Sequence, residues 1–208
     1  MDLNKVGLHI NELRNQFSYI EIGVGLLNQS LEKNSVTGVF YALQSIFSSA
    51  SQVSRTMWAP RKKGRARAEA IRKFLGVPDD HPINNKDIQS LFDYCDEANE
   101  EWIKSTTGKY ILMDFIGDLG ESQHKDVEIE SIFRSFDTKG KIYVYRGVGY
   151  HMENVMLSLK SLSDAVNKAH YHLFPDQWNE APSEEKKTSS EEKKASAKKK
   201  KAPAKKKN

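Results

Sequence analysis

The sequence contains very little cysteine, no long apolar run and no secretory leader. Cys95 is the single cysteine among 208 residues, so it can form no disulfide within the chain and cannot build a thiolate metal site alone. No segment approaches the roughly 18 consecutive apolar residues that a membrane span requires. The first residues, Met1–Asn4, lack the basic and apolar regions of a secretory signal. These features predict a cytoplasmic protein without membrane association.

Motifs of common catalytic and metal-binding sites are also missing. The chain has no His-Glu-x-x-His pair, no Gly-rich phosphate loop and no Gly-x-Ser-x-Gly elbow. Its six histidines are scattered, and His170 and His172 diverge on a helix because they are two positions apart. Cys95 lies on the apolar stripe of a predicted helix, which favours a buried, inert thiol over a nucleophile. We therefore expect no metal and no cofactor.

Positive charge is concentrated at the carboxyl end of the chain. The 32 Lys and Arg residues and 28 Asp and Glu residues give a formal net charge of +4, but residues 181–208 contain 11 Lys and 4 Glu. That segment therefore carries +7, and the rest of the chain carries −3. No large apolar residue follows Trp178, so burial cannot offset the entropy of ordering this segment. We predict one folded domain over residues 1–178 and a disordered Lys-rich tail over 179–208.

Apolar residues recur at alternating intervals of three and four near the amino end. Nine of them over residues 3–31 form one seam on a helix. A second helix of this kind is predicted to run to about Trp58, with Ser35 or Thr37 as its N-cap and Pro60 beyond its end. The two helices are expected to form an antiparallel hairpin. The narrow first seam suits packing against one long helix, either within the chain or across a dimer.

The remaining segments predict further helices and some β-structure. A short helix ends before Gly76, another helix spans about 86–105, and a last one spans about 151–173. Residues 132–146 indicate a β-hairpin, because the second arm is rich in β-branched and aromatic residues. Residues 110–116 are too short a run to decide between helix and strand. The predicted fold class is mainly α, a helical bundle with a long antiparallel helix hairpin and a small β-hairpin.

Two basic segments are candidates for contact with nucleic acid. The tail lysines would bind phosphate backbones by counterion release without reading sequence, and a merely solubilising tail is the alternative. The second basic segment begins a short helix of the folded domain, and the planar guanidinium groups of its arginines suit phosphate binding. A solvated loop that offsets the acidic helix 86–105 explains this segment equally well. The candidate residues are Arg61, Lys62, Lys63, Arg65, Arg67, Lys198, Lys199, Lys200, Lys201, Lys205, Lys206 and Lys207.

Several landmarks in the sequence resemble a known superfamily. They are residues 40–60, 72–82, 88–102 and the Tyr-Arg-Gly run at 145–147. In this order they resemble a bacterial branch of the HEPN superfamily (higher eukaryotes and prokaryotes nucleotide-binding domain) over about residues 3–172. The resemblance implies a helical bundle that forms homodimers or heterodimers. Many members of that superfamily are metal-independent ribonucleases of toxin–antitoxin or phage-defence systems.

The ribonuclease motif of that branch is altered in this chain. Active members carry an arginine followed, after four to six residues, by a histidine. Gln89 stands at the position of the arginine, Ser90 follows it, and Tyr94 stands at the position of the histidine. Glutamine is uncharged and tyrosine has an ordinary pKa of about 10, so the fixed cation and the general base are both replaced. The resemblance then implies a non-catalytic protein that associates with RNA in preference to DNA.

Two other functions stay open at this point. A metal-independent ribonuclease could use a rearranged site built from Arg55 or Arg65 with His81, Tyr94 or His151. The chain could instead be a protein–protein scaffold with a solubilising tail. Metal-free cleavage of RNA would identify the ribonuclease, and absence of nucleic-acid binding at low salt would favour the scaffold.

Overall fold

The protein is mainly helical with one small β-sheet, as predicted. A computed structural model describes residues 3–179, in which a main unit extends to His170 and a second unit begins at Tyr171. A short 3-10 turn, Ile129–Ser131, precedes the second strand. In chain order the elements are α1 (Leu3–Glu32), α2 (Val36–Met57), α3 (Lys62–Leu75), α4 (Lys86–Ser90), α5 (Cys95–Ser105), β1 (Phe115–Gly117), β2 (Arg134–Asp137), β3 (Ile142–Tyr145), β4 (Val148–His151), α6 (Met152–Leu173) and α7 (Asp176–Asn179).

Helices α1 and α2 form the predicted hairpin. The apolar seam of α1 is buried from Val6 to Leu27 except for the half-buried Val24. Gly23 approaches α2 so closely that an added Cβ would lie 2.7 Å from Cγ1 of Ile46. Ser35 caps α2, since its hydroxyl accepts a hydrogen bond from the Gly38 N–H at 3.2 Å. Within the chain, α2 is therefore the long partner that the seam of α1 requires.

The continuous helix predicted over 86–105 is wrong, because the chain breaks it into α4 and α5. Tyr94 lies between them with φ of +44°, a left-handed conformation that a helix interior does not admit. A distant side chain accompanies the break: the Arg146 guanidinium donates to the Leu91 carbonyl at 2.6 Å. In an uninterrupted helix that carbonyl would instead accept from the N–H of Cys95.

The burial predicted for Cys95 is also wrong, whereas Ile88 and Leu91 of the same predicted helix are buried. None of the eleven residues of α5, all within the described range, is buried. Cys95 is half-buried rather than buried, with its Sγ 3.0 Å from the Phe92 carbonyl. Trp102 is likewise half-buried and donates its indole N–H to the Glu130 carbonyl at 3.0 Å. These positions lose burial because the break at Tyr94 reorients the helix that carries them.

The β-sheet has four strands in the order β1-β2-β3-β4. Strands β2 and β3 form the predicted hairpin, β4 adds an antiparallel strand beside β3, and β1 pairs with β2 in parallel. The undecided segment 110–116 thus ends in a strand. The sheet packs on α2 through Phe47, whose ring centroid lies 5.2 Å from that of Tyr143 and 5.0 Å from that of Tyr150.

Candidate nucleic-acid interface

A cleft of about 860 Å³ lies where α2, α3 and α4 approach one another. It brings part of the basic segment together with two of the candidate positions named from the sequence, Gln89 and Ser90. Its acidic side chains are Glu69 and Asp93, fewer than its basic ones. The residues at this surface that carry positive charge are Arg55, Arg61, Arg65, Arg72 and Lys86.

Two of these cations are neutralised by acidic partners. Arg55 forms an ion pair with Asp93 and donates its Nε–H to the Gln89 carbonyl at 2.7 Å. Arg72, with a side chain only 13% exposed, binds Asp79 at 2.6 Å. Both arginines therefore support the walls of the cleft rather than offering free charge.

The other three cations of the cleft are exposed and make no ion pair with any residue in 3–179. Arg61 is the N-cap residue of α3 and Arg65 lies one turn later. Lys86 begins α4, where Asn85 accepts hydrogen bonds from two backbone N–H groups at 2.7 and 3.2 Å. The starts of two helices thus place three unneutralised charges around one cleft, where an anion would meet little opposing charge.

Gln89 forms part of the floor of the cleft and is only 7% exposed. Its amide Nε2 donates to the Ser54 hydroxyl and to the Trp58 carbonyl, both at 3.0 Å. The Ser54 hydroxyl in turn donates to the Ile83 carbonyl at 2.5 Å. Both amide hydrogens of Gln89 are thereby committed to the protein interior.

The three candidate positions, Gln89, Ser90 and Tyr94, do not lie together at one site. Ser90 lines the cleft beside Gln89, and its hydroxyl donates to the Lys86 carbonyl of its own helix at 2.8 Å. Tyr94 is 68% exposed and lies outside the residues that form the cleft. The left-handed turn between α4 and α5 therefore separates Tyr94 from the other two positions.

Comparison with known proteins gives this site no assigned role. The chain matches no family model, no curated protein and no solved structure. Within residues 3–179 there is also no group of three His, Cys, Asp or Glu side chains placed to hold a metal ion. No described helix combines the length and apolar content of a membrane span. The function must therefore be argued from the charges and contacts of the cleft.

The predicted basic residues separate into four groups. Arg61 and Arg65 line the cleft. Lys62 and Lys63 are exposed at the start of α3 and do not form part of the cleft wall. Arg67 is half-buried and donates to the Arg55 carbonyl at 3.5 Å, so it contacts protein. The tail lysines (198–201 and 205–207) and the predicted tail lie outside the described residues.

The residues of the rearranged ribonuclease site are also dispersed. Arg55 and Arg65 belong to the cleft, but His151 is exposed at the end of β4. His81 uses both ring nitrogens: Nδ1 accepts from the Ile83 N–H at 3.2 Å and Nε2 lies 3.0 Å from the Ser161 hydroxyl. Burial lowers the pKa of His81 below its ordinary value of 6.5, so the ring is neutral near pH 7.

The sequence did not indicate three residues of the cleft as binding or wall residues. Lys86 lies outside the basic segment of residues 61–73, to which Arg72 belongs, and Arg55 was considered only for a rearranged nuclease site. Trp58 appeared only as the end of a helix, yet it forms part of the cleft wall. The one sequence feature that indicated this position was Pro60, which lies just beyond the end of α2 and therefore places Trp58 where two elements meet.

Proposed function

We propose that this protein is a HEPN-like, non-catalytic RNA-binding protein that acts as a homodimer or heterodimer in a defence or toxin–antitoxin setting. The observation that carries the proposal is the set of three unpaired cations, Arg61, Arg65 and Lys86, around one cleft. Phosphates held by such side chains release condensed counterions, which drives binding without sequence readout. The Lys-rich tail supplies further charge for the same ligand.

The contacts of Gln89 support binding without cleavage. Metal-free cleavage of a phosphodiester needs a cation at the reacting phosphate and a proton acceptor beside it. The Gln89 amide is uncharged and directed to Ser54 and Trp58, while Tyr94 lies outside the cleft. The best-placed histidine, His81, is occupied at both ring nitrogens. The free charges of the cleft are thus available to hold RNA, while its two carboxylates, Glu69 and Asp93, are each paired with a cation, Lys73 and Arg55.

The test is fluorescence anisotropy of a labelled 20-nucleotide single-stranded RNA over a series of salt concentrations. The cleft variant combines Arg61→Gln, Arg65→Gln and Lys86→Gln. The control variant combines Lys125→Gln, Lys160→Gln and Lys168→Gln, exposed lysines that lose the same charge elsewhere on the protein.

We expect the cleft variant to bind more weakly and its plot of log affinity against log salt to be shallower by about 2, since each single-strand phosphate contact contributes about 0.7. The control should retain the slope of the natural protein. Equal slopes for the two variants would contradict binding in the cleft. Cleavage of the RNA in the presence of EDTA would instead establish the rearranged ribonuclease.

A further inference from the structure

Hydrogen bonds hold the backbone of Trp58, and a stacking contact holds its ring. Its backbone N–H donates to the Ser54 carbonyl at 2.7 Å, and its carbonyl accepts from Gln89 at 3.0 Å. The His81 ring stacks on the indole with centroids 5.6 Å apart and planes inclined by 22°. A side chain fixed in this way cannot rotate freely to find a new hydrogen-bond partner.

The indole N–H of Trp58 nevertheless has no partner. Trp58 is only 7% exposed, and its Nε1 is buried without an acceptor among residues 3–179. Buried tryptophan N–H groups usually find an acceptor, and an unpaired buried donor is uncommon in native proteins. Trp102 follows the usual rule by donating to the Glu130 carbonyl at 3.0 Å. The unpaired donor of Trp58 therefore points to an acceptor supplied from outside the chain.

The position of Trp58 in the cleft indicates which ligand would supply that acceptor. Trp58 lines the same cleft as Arg61 and Arg65, whose free charges select an anion. The volume of about 860 Å³ lies in the range of small-ligand sites, roughly 300–1,000 Å³. A cleft of that size accommodates a nucleotide-sized portion of an unpaired strand and not a duplex.

We propose that Trp58 is a ligand-binding residue whose indole N–H donates a hydrogen bond to an oxygen of single-stranded RNA while Arg61 and Arg65 hold its phosphates. This inference rests on the proposed RNA binding and adds Trp58 as a residue that contacts the RNA. The indole nitrogen is shielded in the free protein, so binding requires a local displacement. Arg72 lies beside the ring, with its Cζ 5.8 Å from the Trp58 ring centroid, and its displacement would break its contacts with Asp79 and with the Met57 carbonyl.

The experiment follows the indole ¹H–¹⁵N resonances of the full chain by NMR. The sequence has three tryptophans, so the variants Trp58→Phe, Trp102→Phe and Trp178→Phe assign the three signals. Uridine 10-mer RNA is added until anisotropy of a labelled sample shows saturation. Inorganic polyphosphate is titrated in parallel, because it offers phosphate oxygens but no base carbonyl.

We expect saturating RNA to shift the Trp58 proton signal downfield and to leave that of Trp102 in place. A matching shift with polyphosphate would identify a phosphate oxygen as the acceptor, whereas a shift with RNA alone would identify a base or ribose oxygen. Trp58→Phe should weaken RNA binding about two- to tenfold, the effect of one hydrogen bond, and Trp102→Phe should leave it unchanged.

An unmoved Trp58 signal in RNA-saturated protein would overturn this inference while leaving RNA binding established. This readout holds even where Trp58→Phe fails to fold, because the natural residue is observed. Unchanged affinity of a folded Trp58→Phe variant would overturn it as well. Absence of any RNA binding at low salt would remove the proposed function together with the inference.

Discussion

Replacing Gln89 by leucine tests whether this residue is a structural element of the cleft floor. Leucine has a similar size and preserves most of the packing, so the substitution removes the two amide hydrogen bonds without opening a large cavity. Those bonds, to the Ser54 hydroxyl and the Trp58 carbonyl, are both 3.0 Å long. The substitution leaves the third residue of the network in place, because the Ser54 hydroxyl still donates to the Ile83 carbonyl.

The expected loss follows from which groups are left without a partner. The Trp58 carbonyl belongs to a residue that is 93% buried, and its loss of the Gln89 amide leaves an acceptor with little access to water. An unsatisfied buried polar group costs about 1–3 kcal/mol, whereas the net value of a satisfied hydrogen bond is about 1 kcal/mol. We expect Gln89→Leu to lower the free energy of unfolding by about 2 kcal/mol, or Tm by about 4–8 °C in a protein of this size.

Urea unfolding followed by circular dichroism measures this loss. The matched control is Ser90→Ala, because Ser90 is exposed and bonds only to the Lys86 carbonyl of its own helix. Its effect should stay within about 0.5 kcal/mol. If Gln89→Leu unfolds at the same urea concentration as Ser90→Ala, then the Gln89 amide does not stabilise the cleft floor.

Three further substitutions test the backbone and the half-buried His81. Gly147→Ala should lower the free energy of unfolding by at least about 2 kcal/mol, because φ is +77° and the new Cβ would lie 2.9 Å from Cα of Glu130. Gly25→Ala, in open space within α1, should raise the free energy of unfolding by about 0.5–1 kcal/mol. Equal changes in thermal stability for the two glycine variants would refute this difference. The pKa of His81 is lowered by burial, so the unfolded chain takes up a proton first and stability should fall as pH drops below 6.5. His81→Gln should make that fall smaller between pH 7.5 and 5.5 in urea titrations, and an unchanged pH dependence would contradict the assignment.

The helix hairpin could be predicted because its information is local. Alternating intervals of three and four set the buried face of α1, and Ser35 supplies an N-cap at the turn. Gly76 ends α3 in the left-handed conformation that its position after Leu75 indicates. Each of these features depends on residues within one or two helical turns of one another, so the sequence pattern alone was sufficient.

The break between α4 and α5 could not be predicted in the same way. It is accompanied by a contact from Arg146, which is 55 residues away from the Leu91 carbonyl that it binds. The cleft poses the same difficulty, because Arg55, Arg65 and Lys86 come from three different helices. The basic segment indicated two of its free cations, but only the packing of those helices shows which charges face one cleft and which are neutralised.

The depth at which each charge lies favours binding over cleavage. Near the floor, Gln89 is uncharged and bonded, and Arg55 is neutralised by Asp93. The free cations, Arg61 and Lys86 among them, are exposed to water, where a charge attracts phosphate at long range but stabilises a reacting phosphate weakly because of the high dielectric. Electrostatic catalysis requires the opposite arrangement, with unneutralised charge in a dry site. Replacing Gln89 by arginine would place a second cation near Arg55, which already holds Asp93, and would remove the amide hydrogen bonds to Ser54 and Trp58, so we expect such a variant to lose stability.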